Sequence, residues 1–468
     1  MKVLKCLRKI LVFYLIYALI TGAGFFLIHS NNDLKKEDFS HYNTGQDRVT
    51  LIEDRYNSGL SRINLIENSQ KTLDIAYYTT HSGDARQIFF GSILEAADRG
   101  VHVRILLDGI FHNLIGSSKD IQYALVNHPN IELKFYEPLS VLKPWTWNNR
   151  LHDKHIIVDN EFAMIGGRNI GDKYYLKDYN SPVYDRDVLI INTDTDNISK
   201  SVISDMKDYF NTLWRHEYSK NAIDNLKDSQ AAKGSKKEKY LKQYINSLKV
   251  DHPEYFVFDM DWHDLSVPAD KISFIHNPIT RLNKAPWVLS EIGKLMAEAE
   301  ESVFIQSPYI IPTNQMLKHL DIEAILSAQT TILTNSYASS PNYFAMAGYK
   351  KNRKNIANNI DYLYEYQDNG SLHAKSYIID NKISLIGTFN FDARSSFLST
   401  ESMIVVHSEE FSQILMSEID ELTKKSLQVA KDYSYEENPY IKPLEVSRTK
   451  LAIINILFVI TYFFDFLL

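Results

Sequence analysis

The chain has 468 residues and a single cysteine, Cys6, so no disulfide can join two parts of it, and cysteine usage leaves its compartment open. Surplus positive charge is also missing: 51 lysines and arginines stand against 58 aspartates and glutamates, a formal net charge of -7. Sequence-independent nucleic-acid binding works by neutralising phosphates, so this balance argues against it, although a local basic cleft is compatible with the total. Charge is absent altogether from residues 10–28, behind a basic flank of Lys2, Lys5, Arg8 and Lys9.

A run of ~20 apolar residues is enough to cross a bilayer. Residues 1–29 therefore read as a retained membrane anchor, and the basic flank predicts the N-terminus inside and the rest of the chain outside. Lys35 and Lys36 on the far side oppose that orientation. A cleavable signal peptide is the alternative, given the small residues Thr21, Gly22, Ala23 and Gly24, but the run is long for one. Residues 451–468 are apolar too, interrupted by Asn455 and Asp465. They read as an interfacial or shallowly inserted helix, with a core helix as the alternative.

What lies between is ordinary in composition, 44% hydrophobic and 23% charged, and long enough for two domain-sized cores or one duplicated unit. Duplication is visible directly. The pattern H-x-K-x4-D-x6-G-x-x-N occurs once as His152, Lys154, Asp159, Gly166 and Asn169, and again as His373, Lys375, Asp380, Gly387 and Asn390. One such triplet of His, Lys and Asp would be weak evidence; two, each with Gly and Asn at matching offsets, imply one site built from two halves.

The spacing has a physical reading. Residues i and i+2 share one face of a strand, so His and Lys emerge together. The apolar runs at 156–158 and 376–379 continue each strand, Asp159-Asn160 and Asp380-Asn381 are turn signals, and the returning strands bring Gly166 and Gly387 back to the same mouth. Two imidazoles and two ammonium groups converging on one point suit a phosphodiester. A metal site would have no use for a lysine, which offers no acceptor, at the same place in each half.

With these residues in view, the chain resembles the phospholipase D superfamily, and within it the bacterial cardiolipin synthases. The narrower likeness rests on GGRNIGD at 166–172, AADRGV at 96–101, SPYIIP at 307–312, LTNS at 333–336 and GTFNFDARS at 387–395, within a resemblance running from about 47 to about 450. Gly167 and Thr388 stand where many members have serine, and Gly-Gly is familiar in the narrower group.

The resemblance implies a covalent phosphohistidine, with one motif histidine attacking phosphorus and the other protonating the leaving alcohol and later deprotonating the incoming alcohol or water. By analogy His152 is the nucleophile and His373 the acid and base; the reverse assignment fits the same residues. Lys154, Lys375, Asn169 and Asn390 would hold the phosphoryl oxygens, with Gly167 and Thr388 beside them. A reacting imidazole needs its far nitrogen held by a carboxylate. Asp187 and Glu401 are the candidates, and their alternative reading is a structural ion pair. Asp159 and Asp380, at the turns, are expected to support the fold or a lysine rather than react. No metal and no cofactor are expected.

Taken in order, the halves match. Expected strands at 72–78, 102–107, 131–136 and 188–191 answer to others at 302–308, 331–334, 360–364 and 403–406. Expected helices at 88–99 and 198–215 answer to 315–328 and 410–429, and an amphipathic helix is expected at 48–68. This is an α/β fold of two similar phospholipase D-like halves, each a mixed sheet flanked by helices, pseudo-two-fold related with one active site between them. The expected divisions are an anchor (1–29), a connector (30–47), a first half (48–215), a Lys-rich insertion or linker (216–284), a second half (285–430) and a tail (431–468). Lys233, Lys236, Lys237, Lys239 and Lys242 in the insertion are a solvated helical face or a contact for anionic headgroups. Trp145 and Trp147 either dip into a membrane interface or pack over the first hairpin.

The functional expectation is a membrane-anchored phosphatidyltransferase making cardiolipin at a bacterial cell membrane. Its substrates would be phosphatidylglycerol, with phosphatidylethanolamine a second candidate donor, and no nucleic acid is expected. The alternatives are a phospholipase D releasing phosphatidic acid, a phosphodiesterase or nuclease, and a non-enzymatic scaffold. Oligomeric state is not encoded.

Overall fold

A computed structural model of the chain describes residues 2–28, 47–256 and 260–468, so all but Asp47 of the connector expected at 30–47 lies outside the described residues. Two mixed sheets dominate it. The first runs in the order Val267–Pro268, Asp47–Ile52, Asp187–Asn192, Phe162–Gly166, Lys154–Val158, Thr72–Tyr77, His102–Asp108, Ile131–Tyr136 and Ser219–Asn221. The second runs Lys271–His276, Ser402–His407, Ile383–Gly387, Ser376–Ile379, Ser302–Gln306, Gln329–Asn335, Tyr362–Tyr366 and Ser426–Gln428. From the second strand of the first sheet onward, the two orders correspond strand for strand.

Burial on both faces explains the unbroken apolar runs. In Lys154–Val158, Ile156 and Val158 join an outer core under the helices Arg55–Asn68 and Asp84–Asp98, while Ile157 faces an inner core. The second half repeats the alternation: Tyr377 and Ile379 face its own outer helices, and Ile378 the inner core. That inner core draws residues from both sheets, with the helices Val202–Arg215 and Glu409–Thr423 contributing Phe210, Leu213, Phe411 and Leu415. The halves are thus joined through apolar surface.

Several expectations need correction. Residues 47–52 are a strand, and the helix starts only at Arg55, where Asp54 caps it by accepting from Asn57 N at 2.8 Å. The helix expected at 315–328 is two short ones, Asn314–Leu317 and Ile322–Ile325, and the helix expected at 410–429 ends at Thr423 before an edge strand. The stretch 216–284 is no free linker: it supplies edge strands to both sheets, and its helix Asp228–Asp251 packs on Lys119–Asn127 and Asp84–Asp98. Gly234 permits that approach, since a Cβ there would sit 2.6 Å from Tyr123 O. Lys242 is engaged with Asp98 and Glu238, both at 2.6 Å.

The chain's two apolar ends meet. The helix Lys2–Ile28 leaves Leu11, Phe13, Leu15, Leu19 and Ile20 exposed, and its Phe26 stacks on Phe466 at 4.9 Å. The C-terminal helix Arg448–Phe463 turns Asn455 toward Lys350 of the helix Tyr343–Asn359, Asp465 in the turn after it pairs with Lys351, and Ile456, Val459 and Phe463 are exposed. Among the described residues no helix is long and apolar enough to cross a membrane. Beside the first helix, the loop before the first motif presents Leu139, Val141 and Leu142 to solvent, while Trp147 donates to Ser140 O at 2.8 Å. Tyr14 and Tyr17 donate to the carbonyls of Val141 and Leu142.

Candidate active site

Each motif opens a strand that lies antiparallel to the first parallel strand of its sheet, so His152 and His373 emerge beside the carboxyl ends of Thr72–Tyr77 and Ser302–Gln306. Such crevices are where α/β sheets present ligands. Because the sheets face one another, the partners cross between halves. His152 Nδ1 lies 2.9 Å from both carboxylate oxygens of Glu401, and His373 Nδ1 lies 2.5 Å from Asp185 Oδ2. Each histidine is oriented by the other half's carboxylate, leaving its Nε2 for chemistry.

Asp187 is therefore not the group that holds a histidine. It is fully buried and accepts from Ser58 Oγ at 2.7 Å, Arg168 Nη1 at 2.8 Å and Arg62 at 3.0 Å, a closed cluster within the first half. Between the two aspartates, Arg186 reaches across to Gln306 Oε1 at 2.8 Å and Ser376 Oγ at 3.0 Å while gripping Glu53, pinning the halves together.

Gly167 and Thr388 also support the carboxylates. Thr388 Oγ1 donates to Glu401 Oε2 at 2.6 Å, while a Cβ on Gly167 would stand 2.2 Å from Asp185 Oδ1. One position supplies a hydroxyl to its glutamate; the other supplies space for its aspartate. Gly167→Ala is expected to displace Asp185 and lower kcat on the order of 10²-fold with the fold intact, as steady-state kinetics beside circular dichroism would show; unchanged kcat would contradict the tight fit.

Asp159 and Asp380 sit at φ +53° and +52°, and each carboxylate accepts from three successive backbone N–H groups, those of 70–72 and of 300–302 at 2.7 to 2.9 Å. These contacts tie each hairpin turn to the entry of a neighbouring strand. Asp159→Asn is expected to lower thermal stability while keeping kcat within about tenfold, far less than the loss on removing His152. Equal losses in a kinetic assay would refute the division.

Charge at the centre is concentrated and buried. Lys154 donates to His152 O at 2.5 Å and Lys375 to His373 O, and both face Glu401. Burial pushes Lys154 down to about 7 and Lys375 down to about 8. Burial and the two lysines hold His152 well below the usual histidine range, and burial pushes Glu401 up to about 8. Asp185 stays below the usual carboxylate range because Lys375 and His373 outweigh its burial. Tyr78 stands edge-on to His152 at 5.1 Å and under Lys154.

The asparagines are placed differently. Asn169 Nδ2 donates to Tyr174 OH at 3.2 Å, whose ring lies 6.0 Å from that of His373; Asn390 N donates to Ser395 Oγ. Both side-chain oxygens are buried without a hydrogen-bond partner among the described residues. Sequence reading also passed over Asp153, whose carboxylate accepts from Tyr209, Thr400 and Ser402 at 2.5 to 3.1 Å and so ties the first motif to the second half. No local pattern marks it. No cluster of three or more His, Cys, Asp or Glu able to hold a metal occurs among the described residues.

Comparison with known proteins completes the description. The family model described as "Cardiolipin synthase, PLD-like domain" matches residues 63–214 and 292–423. Cardiolipin synthase C of Escherichia coli K12 is 29% identical over 388 residues, 74% of this chain and 78% of that protein. The cardiolipin synthase of Clostridium perfringens strain 13 is 26% identical over 427 residues, 90% of this chain and 80% of that one. Among solved structures, phosphatidylserine synthase of Haemophilus influenzae Rd KW20 superposes with a TM-score of 0.62 at 15% identity, covering 90% of this chain and 95% of that chain. At that identity the likeness shows the fold.

Proposed function

This chain belongs to the family described as cardiolipin synthase, PLD-like domain, where PLD is phospholipase D, and we propose that it joins two phospholipids into cardiolipin by phosphatidyl transfer through a phosphohistidine. The observation that carries the chemistry is the reciprocal pairing of His152 with Glu401 and His373 with Asp185. In this reading the halves are related by a pseudo-two-fold, supported by their common strand order.

His152, kept uncharged, attacks phosphorus with Nε2: the P–N bond forms as the P–O bond to the leaving alcohol breaks, and His373 gives that oxygen its proton. Asp185, an ionised carboxylate at 2.5 Å, favours the charged form of His373 that this role requires, against the burial and Lys375 that push it down to about 3. In the second step His373 takes the proton of the incoming hydroxyl, the new P–O bond forms, and the P–N electron pair returns to His152. Lys154, Lys375, Asn169 and Asn390 are the groups to neutralise and hold the phosphoryl oxygens. The exposed apolar faces of the first and last helices and of the 139–142 loop support seating on a membrane, with the N-terminal helix as anchor.

A pH profile follows. Below about pH 8 Glu401 keeps a proton that must leave before His152 can expose a free Nε2; from about 7 to 8 upward Lys154 and Lys375 lose the protons that bind phosphate. With a soluble phosphodiester, kcat/KM is expected to trace a narrow bell near pH 7 to 8. The alkaline limb of kcat lies higher, because bound phosphate favours the ammonium forms. A flat profile from pH 6 to 9 would contradict this account.

The deciding experiment incubates purified protein in mixed micelles with isotope-labelled phosphatidylglycerol, with and without phosphatidylethanolamine, beside a His152→Ala control, and reads products by mass spectrometry. Labelled cardiolipin in the wild type alone establishes transfer, and its dependence on phosphatidylethanolamine identifies the donor. Phosphatidic acid alone would make the protein a hydrolase, and no lipid turnover would overturn the reading.

A further inference from the structure

A cavity of about 450 Å³ lies where the two ends of the chain meet the second half. Its apolar walls include Leu19 of the first helix, Ile311, Phe344 and Ala345, and Ile460 and Phe464 at the C-terminal end. The volume is in the range of lipid and small-molecule sites, ~300 to 1,000 Å³. Its outer walls belong to the two helices that expose apolar side chains, and Ile460 and Phe344 are themselves about half exposed.

One end of this greasy space is charged. Arg394 lines it and has no carboxylate at ion-pair distance among the described residues; its guanidinium donates to Leu467 O at 2.8 Å and reaches Asn148 Oδ1 at 3.5 Å. Asn148 lies four residues before His152 on the same loop, and Tyr309, also in the wall, is electrostatically coupled to Arg394, Tyr78 and Glu401. Asp392 and Leu468 also line that end, and Leu468 O accepts from Arg394 N at 2.5 Å. The Asp392 carboxylate accepts from Ser395 N at 2.7 Å, so its charge is turned to a backbone N–H rather than to the Arg394 guanidinium.

The catalytic lysines, histidines and asparagines account for one phosphate. A second cationic point, at the junction of an apolar cavity and the catalytic loop, calls for a second. We propose that this cavity seats an acyl chain of the acceptor phospholipid, with that lipid's phosphate on Arg394 and its headgroup hydroxyl directed to the phosphohistidine. The assignment rests on the phosphatidyl-transfer reading. It explains how an alcohol competes with water: the acceptor is held by its phosphate and chain while the intermediate waits.

The test uses full-length protein in mixed micelles and two readouts. In the first, phosphatidylglycerol carrying a diazirine in its acyl chain is photolysed and the labelled peptides are mapped. Labelling is expected at 342–345 and 460–468, to fall several-fold in Ala345→Phe or the rim variant Ile460→Trp, and to be weaker with a phosphatidylcholine probe, whose choline Arg394 repels. Labelling confined to other surfaces, or oleate competing as well as phosphatidylglycerol, would overturn the assignment.

In the second, Arg394→Gln is expected to lower the ratio of cardiolipin to phosphatidic acid about tenfold, the loss of one charge-assisted pair, and Arg394→Lys to restore part of it. An unmoved ratio would overturn the proposal while leaving phosphatidyl transfer standing. Labelling of the cavity in a wild type that makes no cardiolipin would do the reverse, keeping a phospholipid site and removing the transfer.

Discussion

His152→Ala is expected to abolish turnover, by a factor on the order of 10⁴ or more, for every phosphodiester offered, because in the proposed mechanism His152 forms the bond to phosphorus. His373→Ala is expected to be nearly as damaging with a natural lipid but to behave differently with an activated one. A phosphatidyl ester of p-nitrophenol needs no proton on its leaving group, so His373→Ala is expected to release a burst of nitrophenol and then stall, lacking the base for the second step. Intact-protein mass spectrometry would find the phosphatidyl adduct and locate it on His152. Burial and Lys375 push His373 down to about 3 as burial and the lysines push His152 down, and what distinguishes the two is the carboxylate: Asp185 is held below the usual range, whereas burial pushes Glu401 up to about 8. A burst from His152→Ala in place of His373→Ala would reverse the assignment.

The second large effect separates two aspartates two residues apart. Asp185→Asn keeps the shape but removes the charge that orients His373 and stabilises its protonated form; kcat is expected to fall on the order of 10³-fold or more with little change in stability. Asp187→Asn is expected to do the opposite. It leaves Arg62 and Arg168 buried without their shared counter-charge, a loss of about 3 to 5 kcal/mol, while the molecules that remain folded keep most of their kcat. Thermal unfolding beside active-site-titrated kinetics would distinguish the two. A pure activity loss in Asp187→Asn would mean that the buried cluster communicates with the site.

Much of the architecture was legible because it rests on local periodicity. Strand runs such as 156–158 and 188–191 alternate between an outer and an inner core with a period of two, and the repeated motif marks two halves. Errors arose where tertiary pairing overrode local pattern. Residues 48–52 carry apolar spacing that a helix would also satisfy, but they pair with Asp187–Asn192 and Val267–Pro268. The lysine-rich helix around Gly234 does keep Lys233, Lys236 and Lys239 exposed, but Gly234, Leu241 and Ile245 on its other side are buried against the first half.

The sequence by itself determined the paired His, Lys, Asp and Asn residues, the turn positions of Asp159 and Asp380, and the α/β class, since each is written within about twenty contiguous residues. Only the tertiary structure decided which carboxylate serves which histidine. Asp185 and Asp187 flank the same arginine, and nothing local separates them; the choice was made by Arg62 and Arg168, which claim one aspartate for the core of the first half, and by the stacking of the sheets, which carries the other to a histidine of the opposite half. The cavity beneath the two apolar helices belongs to the same class of fact, because it exists only where chain ends hundreds of residues apart pack against one strand-end loop.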